Sequence, residues 1–349
     1  MHVRAFLEEI SGFQGVSGHE YAYAQSVQKA LQTYCDKVHT DNLGNVIGVR
    51  ASNRPNAPKI MLAAHMDEIG LMVKKIDDKG FIAFTNIGGI DPRILLAQEV
   101  TVHGKEDLYG IIGAKPPHLQ DKSESDKAVK MEDMAIDVGL SENQLRKVVS
   151  VGDVITFKAT PVSLYNDYIA SKALDDRAGI AVILECLKEL DNTDIPFDLY
   201  AVATVQEEVG LRGAVVSSYA INPDIGIVID VCHGDTPDGP KEEAYQTGKG
   251  AVITIGPNIH PQLVAKLKQV AKEYHVPYQI DVEPGRTGTD AWAIQVSRSG
   301  IPTLLLSFPL RYMHTTIETL CYHDVVSTGK LLAFFIKTLD QDLEAVLLC

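Results

Sequence analysis

With 349 residues, the chain exceeds the size at which one hydrophobic core keeps growing, so two domains are expected. A composition of 45% hydrophobic and 22% charged residues is that of a soluble globular protein. The net charge of −14 disfavours non-specific binding to nucleic acid or to an anionic membrane surface, because either would repel it. Residues 1–11 carry Glu8 and Glu9 in an amphipathic pattern and lack the basic start and apolar core of a secretory signal. No apolar run approaches the roughly 18 residues of a membrane span. The five cysteines form no C-x-x-C pair, which suggests a reducing, cytoplasmic setting.

Residues 3–35 read as helices. Tyr21, Ala24, Val27, Ala30 and Leu31 share one face, and Glu20, three residues after Ser17, predicts a capping box. Strands follow at 46–49 and 60–64. Between 70 and 157 the pattern changes to short β-type runs at 71–73, 81–84, 99–102, 109–112 and 154–157, with one short helix at 142–149. Such spacing predicts a small β-barrel or sandwich, inserted because strand–helix alternation then resumes. The later strands are expected at 168–174, 199–205, 225–229, 251–255, 278–282 and 302–306. Helices are expected at 175–190, 212–219, 261–274, 290–297 and 324–343. The fold class is therefore α/β, a mostly parallel sheet flanked by helices, with an inserted small β-barrel domain. The expected units are 1–69 with 161–349, interrupted by 70–160.

Several of these apolar runs lead to residues that can hold a metal. His65 closes the run at 60–64, and Asp67 two residues on could fix its tautomer. Asp175 follows 168–174, where it could bridge two ions or simply cap a helix. Glu207 and Glu208 follow 199–205. Adjacent residues in extended backbone point apart, so one can bind metal while the other faces a water, and Gly210 permits a sharp turn. Asp230 closes 225–229, and His314 lies beyond 302–306. Each has an ordinary alternative as a surface or capping residue. Together they suggest a set converging beyond the carboxyl ends of the strands of an open α/β sheet, which suits a pair of divalent ions. Cys232, His233 and Asp235 are lesser candidates in the same region. Zinc or cobalt would suit this N/O donor set, and manganese is also accepted.

With those residues in view, the chain resembles the dinuclear metallo-aminopeptidases of the tetrahedral (TET) aminopeptidase and glutamyl aminopeptidase family. The segments that carry the resemblance are AAHMDEIGLMV, KALDDRAG, VQEEVGLRGA, VIDVCHGDTP and RYMHT, in that order, with GAKPPH in the inserted region. The resemblance implies a phosphorylase/hydrolase-like metallopeptidase domain. It implies His65, Asp175 and Asp230 on one metal, and Asp175, Glu208 and His314 on the other, with Asp175 bridging. Glu207 takes the general-base position, and Asp67 supports His65. The peptide bond after Asp175 is expected to be cis. Large homo-oligomers, often dodecamers, are also implied, with the β-domain serving assembly or substrate access. One departure stands out: the family's glycine-rich G-G-T-D-A-G segment reads Arg286-Thr287-Gly288-Thr289-Asp290-Ala291-Trp292 here.

The expected function is hydrolysis of the N-terminal residue of peptides by a water shared between two metals, with Glu207 as base. The alternatives are a metal-dependent deacylase or carboxypeptidase, and a catalytically silent oligomeric scaffold. A glycosidase using Glu207 and Glu208 would leave His65 and His314 without a task. The preferred N-terminal side chain stays open among acidic, aliphatic and basic, although Arg286 would suit an acidic one.

Overall fold

Apolar runs without polar alternation form the centre of an 11-stranded sheet. The computed structural model describes residues 1–119, 127–237, 239 and 243–339. Two helices, α1 (Val3–Gly12) and α2 (Tyr21–Leu31), lead into strands β1 (Lys37–Thr40), β2 (Val46–Arg50) and β3 (Lys59–His65). In β3, Ile60 to His65 are all buried, as expected of a strand covered on both faces.

The chain then leaves the sheet. Strands β4 (Gly70–Ile76), β5 (Ile82–Ile87), β6 (Glu99–His103), β7 (Asp107–Ala114) and β8 (Met134–Asp137) follow. Helix α3 (Glu142–Val148) and strand β9 (Val154–Phe157) complete a closed six-membered barrel in the order β4-β5-β8-β7-β6-β9. Within β7, Gly110 and Ile112 point inward while the residues between and beside them are exposed. The barrel has its own core, in which Leu71, Val102, Ile136 and Ile155 meet, separate from that of the large sheet.

Beyond the barrel come β10 (Val162–Ser163), β11 (Tyr168–Ser171), α4 (Leu174–Glu189), β12 (Asp198–Thr204), α5 (Arg212–Ile221) and β13 (Ile225–His233). They are followed by β14 (Ala251–Ile255), α6 (Pro261–Glu273), β15 (Tyr278–Val282), α7 (Ala291–Ile294), β16 (Thr303–Arg311), β17 (Glu318–Cys321) and α8 (Tyr322–Thr338). The sheet runs β1-β2-β12-β3-β13-β16-β17-β11-β10, with β14 and β15 branching from β16. The central strands β12, β3, β13 and β16 are parallel, as expected. Antiparallel pairs extend them on both sides, so the sheet as a whole is mixed. Helix α4 is buried along most of its length, packed against α8 and β3. The expected last turn of the final helix, at 340–343, lies outside the described residues.

Two local expectations change. The strand expected at 168–174 stops at Ser171, because Ala173 takes a left-handed φ of 54°. The capping box at Ser17 does not form: Ser17 Oγ donates instead to Asp67 Oδ2 at 2.5 Å, and the backbone N–H of Gly18 donates to Glu20 Oε1 at 2.9 Å. Buried Asp67 is the stronger acceptor, and it recruits the hydroxyl away from the helix end. Among the described residues, no helix is long and apolar enough to cross a membrane.

Candidate metal centre

Parallel pairing sends the ends of β3, β12 and β13 to the same edge of the sheet. Thr204 is in register with His65, and Val228 with Ala63, so Glu207, Glu208 and Asp230 emerge beside His65. Asp175 arrives from the far side of the sheet after β11, and His314 from the loop after β16. The Glu207–Glu208 turn is tight. Gln206 and Leu211 are left-handed at φ 56° and 57°, and Gly210 takes φ 126°, a value that L side chains rarely adopt. Each left-handed non-glycine residue costs on the order of 1–3 kcal/mol. Backbone amides bonded to buried carboxylates offset this: Gln206 N–H donates to Glu20 Oε1 (3.0 Å), Glu207 N–H to Asp67 Oδ1 (2.9 Å) and Glu208 N–H to Asp67 Oδ2 (3.2 Å).

Two groups of three side chains each bring one ligand atom apiece within 4.8 Å of the others: His65, Asp175 and Asp230, and Asp175, Glu208 and His314. Asp175 is common to both. Its Oδ1 lies 3.1 Å from His65 Nε2, and its Oδ2 lies 3.4 Å from His314 Nε2. His314 Nε2 is also 3.2 Å from Glu208 Oε1. Glu207 belongs to neither group, and its Oε2 stands 3.9 Å from His65 Nε2. Asp67 sits behind His65, with Oδ1 at 3.5 Å from Nδ1. The peptide bond between Asp175 and Asp176 is cis.

Sequence reasoning missed several groups that hold this arrangement. Glu318, fully enclosed, accepts the N–H of Asp175 (3.0 Å) and that of His314 (3.1 Å), so one carboxylate holds the backbone of a residue from each group. It opens β17, a four-residue strand whose pattern does not stand out from a loop. Asp176 reads from sequence as first-turn helix chemistry and does accept the Gly179 N–H (3.1 Å), but its bond from the backbone N–H of His65 (3.3 Å), which holds the first imidazole's backbone, is one that sequence reasoning missed. Asp290 is buried with one oxygen bonded to Thr204 Oγ1 (2.5 Å) and the other without a partner among the described residues. The barrel also reaches the centre. A Cβ at Gly89, after β5, would stand 3.0 Å from His314 Nδ1, and one at Gly88 would stand 3.2 Å from Glu208 Oε2.

A cavity of about 1220 Å³ opens over both groups. Arg286 and Trp292 both line it, with the guanidinium over the indole ring at 5.5 Å. Cys232 and His233 lie on its wall but join neither ligand group among the described residues. Asp235 is engaged elsewhere, with Arg311 at 2.9 Å and Thr247.

The donor set fits divalent cations. Four carboxylates (Asp175, Glu207, Glu208 and Asp230) share the space with two imidazoles, so negative charge is in excess where water is scarce. Titration directions reflect that imbalance. Burial drives Asp230 well above the ordinary range, with Asp175 adding to the rise. Burial likewise pushes Glu207 up to about 10, and nearby Asp230 and Asp290 contribute. Burial alone would lower His65, but bonds to Asp175 and Asp67 outweigh it and raise it well above its usual value. Bonds to Asp175 and Glu208 raise His314 to about 11. At neutral pH the metal-free centre therefore holds protons that metal ligands must lose. Divalent metal should release protons on binding, and its apparent affinity should rise with pH across the neutral range. Calorimetry in two buffers of different ionisation enthalpy counts the protons, and net proton uptake would contradict the ligand assignment.

Residues 44–331 match the model of the M42 glutamyl aminopeptidase family. The lysyl aminopeptidase of Pyrococcus furiosus is 38% identical over 330 residues, covering 93% of this chain and 94% of the relative. The TET aminopeptidase from the marine sediment archaeon Thaumarchaeota archaeon SCGC AB-539-E09 superposes with a TM-score of 0.93 at 33% identity, covering 99% and 98% of the two chains. The Pyrococcus horikoshii TET1 peptidase gives 0.84 at 31% identity, covering 97% and 100%. With the family model matched over residues 44–331 and nearly its whole length and fold shared with these peptidases, the chain belongs to the M42 glutamyl aminopeptidase family.

Proposed function

We propose that this chain removes the N-terminal residue of peptides, using two divalent ions held by His65, Asp175 and Asp230 and by Asp175, Glu208 and His314, with Glu207 as general base. The supporting observation is the position of Asp175, whose two oxygens face different imidazoles and belong to both ligand groups, while Glu207 stands beside them without joining either. When bound, the ions supply Lewis-acid polarisation of the scissile carbonyl and lower the pKa of the attacking water. Glu207 then accepts the water's proton on a carboxylate oxygen and delivers it to the departing amine. Burial raises this carboxyl well above the ordinary carboxylate range, so its action as a base at neutral pH depends on cation charge nearby. Asp67 keeps the His65 ring oriented and anchors the Glu207 backbone, so the base and a ligand share one support.

Glu207→Gln should retain both ions and lose about 10²–10⁴-fold in kcat, the range typical of general-base removal. Glu208→Ala should instead lower the metal content measured by elemental analysis. Near-native turnover in Glu207→Gln would remove Glu207 from the base role.

Among the described residues, the cavity wall beyond the ligand groups bears Glu243, Asp281 and Glu283 and one Lys or Arg side chain, Arg286, whose guanidinium lies over Trp292. Together with the lysyl specificity named for the Pyrococcus furiosus relative, this supports a preference for a basic N-terminal side chain over an acidic one. A panel of aminoacyl-p-nitroanilides, with the protein stripped by chelator and reloaded with zinc, cobalt or manganese, should give the highest kcat/KM with lysine or arginine. A glutamate optimum would overturn the preference. Activity only on N-acylated or C-terminal substrates would favour the deacylase or carboxypeptidase reading.

The relative from Pyrococcus horikoshii can assemble into a tetrahedron or a large octahedral shell. We read this chain as a homo-oligomer too, because Val215, Val216 and Tyr219 of α5 and Val296 after α7 expose neighbouring apolar side chains. Light scattering of the purified protein should give a mass of many chains; the mass of one chain would exclude this reading.

A further inference from the structure

Behind the two ligand groups lies a buried set of charges that the proposed reaction does not use. Glu68 follows His65, Met66 and Asp67 directly, and only 4% of its side chain is exposed. Both of its oxygens accept from Lys172 Nζ, at 2.7 and 2.6 Å, and Oε1 also accepts from Arg177 Nη2 at 3.2 Å. Lys172 and Arg177 stand on either side of Asp175 in the chain. A single carboxylate from the end of β3 thus grips the segment carrying the shared ligand on both flanks.

The two cations are fully engaged. Lys172 Nζ gives its third bond to the Phe13 carbonyl at 2.6 Å. Arg177 donates to the carbonyls of Ile10 (2.6 Å), Phe13 (2.8 Å) and Met66 (3.3 Å), and its guanidinium lies 4.3 Å over the Tyr23 ring. Tyr23 in turn donates its hydroxyl to the Met66 carbonyl. The backbone of 15–17 pairs with Glu68, through Glu68 N–H to Gly15 (2.9 Å) and Ser17 N–H to Glu68 (3.3 Å). Space here is closed: a Cβ at Gly15 would lie 2.5 Å from Arg177 Nη2. The α1–α2 connection, the His65–Asp67 strand end and the Asp175 turn are therefore locked to one another by one anion and two cations.

We infer that Glu68, acting through Lys172 and Arg177, is a positioning residue that sets the distance between His65 and the shared ligand Asp175 and so determines how tightly the ions are held. Packing alone would fill this space with apolar side chains, because buried ion pairs are weak contributors to net stability. What the charges add is a fixed, directional link between two segments more than a hundred residues apart, at the place where ligand spacing matters. This inference rests on the two-ion reading above.

The test compares the native protein with Lys172→Met, Lys172→Arg and Glu68→Gln. Zinc and manganese affinities are measured by competition with a chromophoric chelator, alongside the Tm of the metal-free protein and kcat and KM at saturating metal. Lys172→Met leaves the Glu68–Arg177 pair intact and so decides the matter if Glu68→Gln does not fold. It should weaken binding of at least one ion by about 10–100-fold, the range typical of groups that orient metal ligands. KM should stay within about twofold once metal saturates. Lys172→Arg keeps a cation within reach of Glu68 and should recover most of the lost affinity. Native affinity in Lys172→Met would overturn the inference, whatever happens to Tm, and so would an equal loss in Lys172→Arg. A native protein that binds no second ion would instead overturn the two-ion reading, and the inference with it.

Discussion

Buried negative charge at one edge of the sheet is the constraint that organises this molecule. Asp67, Asp175, Asp176, Glu207, Asp230, Asp290 and Glu318 all lie out of solvent within one neighbourhood. An ionised carboxylate withdrawn from water costs several kcal/mol unless charge or hydrogen bonds replace the lost hydration. The structure meets that demand in three ways. Backbone amides serve Asp67, Asp176, Glu318 and one oxygen of Asp230; imidazoles serve Asp175 and Glu208; and burial raises Asp230 and Glu207 above the ordinary carboxylate range. On such carboxylates a divalent cation would take the place of protons.

The carboxylates divide into two kinds, and the division follows from where each aims. Those facing the cavity carry the proposed chemistry. Those facing backbone fix the loops from which the others project. Asp67 and Glu318 exemplify the second kind: the first holds the amides of Glu207 and Glu208, and the second those of Asp175 and His314. Left-handed residues at Gln206 and His314 are tolerated in this setting because the neighbouring amides have fixed acceptors. Removing a supporting carboxylate would free a strained turn as well as a charge.

The barrel is more than an appendage. Its β5 exit brings Gly88 and Gly89 against Glu208 and His314, at distances that leave no room for a side chain at Gly89 without movement of the imidazole. Both ligand groups are built from the large sheet and its loops, and the barrel approaches the second of them through Gly88 and Gly89.

Much of this was legible in the chain. The uninterrupted apolar runs before His65, Asp230 and Glu207 identify buried parallel strands, and in a parallel sheet their ends must share an edge. The same logic separates the short, broken β-runs after Gly70 from the long alternation that follows. The supports were not legible: Ser17 looked like a helix cap, Glu318 sits in a strand too short to recognise, and Glu68 was one more acid in an acidic chain. Their roles depend on partners 50 to about 140 residues away, at contacts such as Ser17 with Asp67 and Glu318 with Asp175. The sequence by itself determined which residues could bind and which strands could bring them to one edge, because periodicity and donor chemistry are local properties. Only the tertiary structure decided which carboxylates face the cavity and which hold it in shape, because that choice is made by contacts between segments that share no local pattern.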